Sequence, residues 1–261
     1  MRHVFAKHRE FVGFIVYFTA ERHVDVQCPL HIHYYLEFVY VSEGEVVLTV
    51  SGQERRLTAG QATFIMPFER HSFFTAKRSG CLVIVFSPEM VADFYEMVKG
   101  RSVVTELFKP DAGTMEFCEN VLSQAPVDTV AIKAALYPLC RDIRNNCEFS
   151  SAGRALDKTF VEAVRYVQQQ LETGAVTLTA TAKALNIHSV YLSRLFTQNC
   201  GMSFTGYVNL LRCTYAAEKI RGEKGRTFSE IAYEVGFGSI RNFNRTFLSC
   251  FGMTPKDYRK R

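Results

Sequence analysis

No run of apolar residues in this chain of 261 approaches the roughly 20 needed to cross a bilayer, so no membrane partner is expected. The opening stretch MRHVFAKHREF has neither a long apolar core nor a small-residue cleavage site, and a secretory leader is not expected. The eight cysteines are scattered and contain no C-x-x-C pair. In a chain of this size that distribution argues against a disulfide framework and for reduced thiols in a cytoplasmic protein. What is present is ordinary for a globular protein: 48% hydrophobic residues, mixed charge, and length enough for two domains.

Charge is unevenly placed. Residues 1–150 hold 15 Lys and Arg against 18 Asp and Glu, a net of −3, whereas residues 151–261 hold 16 against 8, a net of +8. A basic half beside a mildly acidic one suits a phosphate backbone as the partner of one domain only.

The basic half carries an internal repeat. Leu185–Val208 registers with a segment beginning at Gly236 at an offset of 51. Arg194 matches Arg245, Phe196 matches Phe247, Gly201 matches Gly252, Met202 matches Met253, Ser203 matches Thr254 and Tyr207 matches Tyr258. Each copy reads as a short helix, a tight turn and a second helix with outward Arg and polar residues. This is the pattern of a helix-turn-helix that lays its second helix in the DNA major groove.

In the first copy, about 177–199, a hydroxyl at Thr177 or Thr179 can cap the helix 180–185. Asn186-Ile187-His188 forms the turn, and Ser189 is expected to cap the helix 190–199. His188, Ser189, Val190, Ser193 and Arg194 are expected on its outer face. In the second, about 227–250, Thr227 or Ser229 can cap, Gly236 permits a left-handed turn and Ser239 caps the last recognition helix. Ile240, Arg241, Asn244 and Arg245 are expected to point outward. A helix from about 204 to 221 would be the rigid spacer between the copies, and Gly174 a natural stop for an earlier amphipathic helix beginning near Phe160.

Residues 1–87 read as β-structure. Short runs rich in Val, Ile, Phe and Tyr recur at 11–18, 36–41, 45–50, 54–57, 61–66, 71–76 and 82–86, with turns at Ser51-Gly52 and Arg78-Ser79-Gly80. Many short strands without intervening helices suggest a sandwich or barrel. Within them lies His31-x-His33-x3-Glu37-x6-Gly44, followed by Gly60-x6-Pro67-x3-His71. In a strand, His31, His33, Tyr35 and Glu37 share a face, and His71 could join them from another strand. This constellation resembles the first cupin motif closely and the second loosely. A set of imidazoles and one carboxylate suits a transition metal. The favoured reading is instead a metal-free small-molecule pocket lined by these side chains, with no cofactor. If a metal is held, its ligands would be His31, His33, Glu37 and His71.

Residues 88–147 turn helical, with candidates at 113–122 and 128–146. Asp128 is a plausible N-cap, Pro138 predicts a kink or break, and Val130, Leu136, Leu139, Cys140, Ile143 and Cys147 recur near the helical period. The longer helix could pack on its own barrel or also pair with a second copy of the chain. Residues 148–157 read as a linker.

The repeat of R-x-F-x4-G-M-[ST], the segment G-F-x-S-x3-F-N-R from Gly236, and the closing P-x-x-Y-R make residues 158–261 similar to the DNA-binding domain of the AraC/XylS family of bacterial transcription regulators. With the cupin-like half, nearly the whole chain resembles its two-domain members. The resemblance implies an all-β effector-binding and dimerising cupin followed by an all-α domain of about seven helices. It also implies double-stranded DNA as partner, a sugar or other small metabolite as effector, a homodimer, and RNA polymerase as partner if the protein activates. It places base reading at Val190, Ser193 and Arg194, and at Ile240, Arg241, Asn244 and Arg245. The rival functions are a metal-dependent cupin enzyme with a DNA-binding tail, and a regulator whose cupin only dimerises.

Overall fold

The computed structural model describes residues 2–11, 15–104, 107–123, 128–150, 157–171, 176–223 and 225–260. The chain divides into two units, one of residues 1–28 and 32–155, the other of residues 156–261 with the short stretch 29–31. Among the described residues no helix is long and apolar enough to cross a membrane.

The first unit is built on eight strands: β1 (Arg2–Phe11), β2 (Ile15–Val24), β3 (Gln27–His31), β4 (Leu36–Val50), β5 (Gln53–Thr58), β6 (Ala62–Ile65), β7 (His71–Phe74) and β8 (Ser79–Phe86). Their order is β1-β2-β8-β4-β7-β3, with β5 and β6 also pairing to β4. The organising strand is β4. Its first part, Glu37–Tyr40, lies between β6 and β8, and its last part, Val47–Val50, lies between β5 and β7. The expected strands 36–41 and 45–50 are therefore one. A bulge between Val41 and Glu43 bends the strand so that it changes partners without ending. Gly44 follows at φ +73, where a Cβ would stand 2.0 Å from the Arg78 carbonyl oxygen, so the bend tolerates no side chain.

Other strand expectations shift. The run 11–18 is not one strand: β1 ends at Phe11 and β2 starts at Ile15, while residues 12–14 lie outside those described. Ser79 and Gly80, expected in a turn, open β8 and pair with Gly44 and Glu43. Ser51-Gly52 does form the expected hairpin turn, with φ of 49 and 85.

Alternation along β4 sorts its side chains. Leu36 and Phe38 face a core shared with the helices that follow, whereas Val39, Val41, Val46 and Leu48 meet Leu57, Ile65 and Phe73 in a second core. After a 3-10 turn at Pro88–Val91 come α1 (Ala92–Val98), α2 (Ala112–Leu122) and α3 (Thr129–Asn146). Asp111 caps α2 by accepting from the Thr114 N–H, and Asp128 caps α3 by accepting from that of Ala131. Met115, Cys118 and Leu122 of α2 and Ile132, Leu136, Leu139 and Ile143 of α3 join the first core. Of the kink or break expected at Pro138, the break does not occur, because the carbonyl that the proline leaves unpaired belongs to exposed Ala134, where water can serve it. Val130, counted among the apolar repeat, is 75% exposed. Short strands β9 (Ser102–Val103) and β10 (Phe149–Ser150) pair beside these helices in sequence.

The second unit is all-α: α4 (Lys158–Gln170), α5 (Leu178–Ala184), α6 (Ser189–Cys200), α7 (Phe204–Gly222), α8 (Phe228–Glu234), α9 (Ile240–Phe251) and α10 (Pro255–Lys260). These seven among the described residues match the expected helical count. The stop expected at Gly174 lies outside the described residues. Asp157 caps α4 through the N–H groups of Thr159 and Phe160. Glycines 201 and 252, in the left-handed region, end α6 and α9.

Candidate functional sites

The polar group of the first unit is assembled around Glu37, whose alternation on β4 turns it inward with Val39 and Val41 while leaving it 2% exposed. His33, just before β4, places Nε2 2.8 Å from Glu37 Oε2. His71, the first residue of β7 and fully buried, places Nε2 3.1 Å from the same oxygen. The two rings lie edge to face at 4.9 Å. Backbone carbonyls hold their far sides: Nδ1 of His71 is 2.7 Å from the Glu69 carbonyl oxygen and Nδ1 of His33 is 3.2 Å from that of Tyr35. A carbonyl only accepts, so each Nδ1 carries the proton. Each Nε2 faces the Glu37 carboxylate, to which it gives a second hydrogen bond when it too is protonated, and it presents a lone pair when it is not.

Burial pushes the Glu37 carboxyl up, but the charges and hydrogen bonds of His71 and His33 outweigh it and hold the group well below the usual carboxylate range. His31, at the end of β3, completes the sequence-predicted set: one donor atom from each of His31, His33, Glu37 and His71 lies within 4.8 Å of the others. Imidazoles pinned at Nδ1 by carbonyls, with Nε2 converging on a carboxylate, form a donor set that fits a divalent transition metal. The single strand face expected for His31, His33, Tyr35 and Glu37 is not formed, because residues 32–35 connect β3 to β4; Tyr35 nonetheless stands beside the group, its ring 5.7 Å from that of His33.

Two contributors carry no local sequence signal. Tyr17, from β2, stacks on Tyr35 at 4.7 Å. Glu69 anchors His71 through its carbonyl while its own side chain accepts from the Met66 N–H at 2.9 Å. Each acts through a tertiary contact or a turn that no periodicity announces.

The second unit presents α6 and α9, each held by a buried apolar side. Leu192, Leu195 and Phe196 anchor α6, and Phe243 and Phe247 anchor α9. Arg194, His188 and Val190 are exposed on α6 and its entry, with Ser189 and Ser193 half-buried. Val190 is 65% exposed, and Tyr191 beside it was not anticipated as an outward residue. On α9, Arg241, Asn244 and Arg245 are exposed, the Arg245 guanidinium donating to Asn242 Oδ1 at 3.1 Å. Ile240, expected to point outward, is half-buried against the core that α7, α8 and α9 form. The helix register explains this: at the offset of 51, Ile240 matches half-buried Ser189 rather than Val190. Ser189 itself is the first residue of α6 and not its cap; His188 holds the cap position and contributes no side-chain bond.

Comparison with known proteins joins the two halves. The helix-turn-helix domain family matches residues 181–261, and the cupin domain family matches residues 21–86. The chain thus joins a helix-turn-helix region of AraC type to a cupin domain, the pairing seen in the AraC/XylS regulators that it resembles. Among its relatives, the HTH-type transcriptional regulator YobQ of Bacillus subtilis is 24% identical over 245 residues, spanning 88% of both chains. The transcriptional activator RhaR of Yersinia pestis is 22% identical over 258 residues, spanning 88% of this chain and 84% of its own. RhrA of Rhizobium meliloti, also named an activator, is 36% identical over 95 residues, 36% of this chain and 30% of that protein. ToxT of Vibrio cholerae shares this fold across 93% of the present chain and 98% of its own, with a TM-score of 0.68 at 11% identity. The chain is thus a transcriptional regulator with an AraC-type helix-turn-helix region and a cupin domain.

Proposed function

We propose that this regulator binds double-stranded DNA by inserting α6 and α9 into successive major grooves, and that its cupin unit senses a small-molecule effector at the His33–Glu37–His71 group and pairs two copies of the chain. The observation that carries the DNA reading is the matched pair of exposed arginines, Arg194 and Arg245, on helices whose other faces are closed by Phe196 and Phe247. Arg suits a bidentate contact to guanine and Asn244 one to adenine, while Val190 can meet a thymine methyl. His188, Ser189, Ser193 and Arg241 complete the surface as phosphate or base contacts. Ile240 is left out of the reading surface because it packs inward. If the protein activates, as RhaR and RhrA are named to do, RNA polymerase is a further partner.

The effector reading rests on polar groups gathered at the inner face of a β-unit with apolar surroundings. ToxT has been solved with an unsaturated fatty acid bound, which supports a small organic molecule as the kind of effector such a fold takes. A second reading is favoured by one observation, the two Nδ1 protons fixed by carbonyls: the cupin unit holds a divalent metal through His33, Glu37, His71 and His31, which would supply Lewis-acid chemistry or simply lock the strands.

Two experiments decide. Selection from a random duplex library with the full-length protein should return a non-palindromic site per chain, with affinity falling steeply as salt rises because phosphate contacts release counterions. Failure to enrich any sequence overturns the DNA reading. Elemental analysis of purified protein, with His33→Ala and His71→Ala alongside, separates the readings of the cupin. Stoichiometric metal lost in both variants supports the metal. Metal-free protein whose melting rises with a metabolite or fatty acid, and no longer does so in the variants, supports the organic effector.

A further inference from the structure

The matched arginines Arg194 and Arg245 are both exposed, but they are not held alike. On α9 a terminal nitrogen of the Arg245 guanidinium donates to Asn242 Oδ1 at 3.1 Å. A guanidinium only donates, so the amide oxygen of Asn242 must be the atom that faces it. Asn242 is half-buried, and its own backbone N–H donates to the Ser239 hydroxyl at 3.3 Å. Cap, amide and arginine thus follow one another at steps of three, a spacing that makes side chains neighbours along a helix. At the offset of 51 Asn242 corresponds to Tyr191, which is 43% exposed. Among the described residues Arg194 makes no hydrogen bond, ion pair or ring contact.

We propose that Asn242 is a positioning residue for base reading: it pre-sets the Arg245 guanidinium, so that the second unit discriminates at its arginine-read base pair more sharply than the first. The proposal rests on the reading of α9 as a recognition helix given above. It goes beyond that reading by assigning specificity to a residue that acts through another side chain.

An amide suits this role. Neither α6 nor α9 carries an Asp or Glu. A carboxylate at position 242 would hold the guanidinium but offset the charge that a phosphate backbone attracts. The neutral amide fixes its direction and leaves its charge whole. Arginine has five N–H donors and this bond occupies one, so a two-pronged contact to guanine O6 and N7 is still open. A loose arginine loses rotamer freedom when it docks, and it can swing to a phosphate when the base is wrong. Held by Asn242, Arg245 has less freedom to lose and fewer alternatives. Arg194, with Tyr191 at the matched position, keeps both freedoms.

The test uses full-length protein and duplexes from the random-library selection. Arg194→Ala and Arg245→Ala mark the base pair read by each arginine, and discrimination is the ratio of affinities for the selected duplex and one changed at that pair. Asn242→Ala keeps the Ser239 cap, which uses a backbone N–H, and alanine favours helix, so the variant should melt like the parent. It should lower discrimination at the Arg245 pair by about threefold to tenfold, the size set by ordering one long side chain, and leave the Arg194 pair unchanged. In the Arg245→Ala background Asn242→Ala should add nothing, since nothing is left to position. Asn242→Asp keeps an acceptor, so it should preserve discrimination while weakening binding to both duplexes. Tyr191→Asn should raise discrimination at the Arg194 pair. Unchanged discrimination in Asn242→Ala, equal loss at both pairs, or no gain from Tyr191→Asn each overturns the proposal. An additive loss in the double variant does so too, because Asn242 would then touch DNA itself. If Arg245→Ala relaxes no base pair, the reading of α9 fails and the proposal falls with it. If Arg245→Ala relaxes one and Asn242→Ala does not, the reading stands and the proposal alone falls.

Discussion

The two helix-turn-helix units are near-copies, yet they are made rigid in different ways. Their first helices, α5 and α8, register at an offset of 50, and their second helices, α6 and α9, at 51. Through the turn the offset is still 50: the Ile187 N–H donates to the Ala182 carbonyl, as that of Phe237 does to Ala232. The left-handed residue is Asn186 in one and Gly236 in the other. Asn tolerates that conformation by itself, but at Gly236 a Cβ would also stand 3.0 Å from the Arg212 Nε, so glycine fits there for two reasons. The extra residue falls after Phe237 and places Ser239 at the cap, where it accepts from the Asn242 N–H. The second unit also carries a full capping box, Thr227 with Glu230, where the first has Thr177 alone. In exchange, the first unit leans on a neighbour: Phe160 of α4 meets Phe196 edge to face at 5.1 Å. One unit is fixed by local hydrogen bonds and the other more by tertiary packing.

The largest expected effect tests that contrast. Phe196 and Phe247 are matched and fully buried, and truncating either to Ala should cost about 3–5 kcal/mol by denaturant unfolding. The consequences should differ in extent. Phe196 touches Phe160, Phe204 and Tyr207, so hydrogen exchange in Phe196→Ala should quicken in α4 as well as α6 and α7. Phe247 touches Phe243, Phe251 and Tyr258, so Phe247→Ala should quicken exchange in α9 and α10 and leave α4 protected. Equal loss of protection in α4 from both variants would erase the distinction.

Base reading should divide in the same way. Arg194→Ala and Arg245→Ala should each cost about 1–3 kcal/mol, each in its own segment of the selected site, the two roughly one helical turn or 34 Å apart. An arginine that touches only phosphate would instead weaken all sequences alike and flatten the salt dependence. Loss in one common segment for both variants would break the two-groove arrangement.

Much of this was legible in the sequence because the second unit is governed by local rules. Capping residues Thr177, Thr227 and Ser239 announce helix starts, and buried Leu192, Phe196, Phe243 and Phe247 recur at helical spacing. The exceptions come from contacts that are not local. His188 rather than Ser189 holds its cap position because the first turn is one residue shorter, a difference visible only once the turn's hydrogen bonds are placed. Ile240 turns inward because α9 meets a core made by α7 and α8. In the first unit the polar set His31, His33, Glu37 and His71 was legible as a cupin-like motif, but the shared strand invoked for it is absent, since residues 32–35 connect β3 to β4, and the continuity of β4 was missed. A bulge and a glycine read as a strand end unless the partners on both sides are known. Tyr17 and Glu69 were invisible for the same reason.

The smallest effect bears on the caps. Because His188 supplies no side-chain bond to the start of α6, replacing it with Ser should supply what Ser239 gives α9 and stabilise the first unit by about 0.5–1 kcal/mol. The reverse change, Ser239→Ala, should destabilise the second by about 1 kcal/mol. Thr227→Ala removes a hydroxyl that donates to Glu230 Oε2 at 2.8 Å and accepts from the Glu230 N–H at 3.2 Å, whereas Thr177→Ala removes one bond of 3.1 Å. Thr227→Ala should therefore cost more than Thr177→Ala, by some tenths of a kcal/mol. Chemical denaturation of the four variants ranks them. Should His188→Ser gain nothing while Ser239→Ala costs its full amount, the shorter turn must hold position 188 in a geometry that no serine can cap, and the difference between the units would lie in the backbone of the turn rather than in the residue at its end.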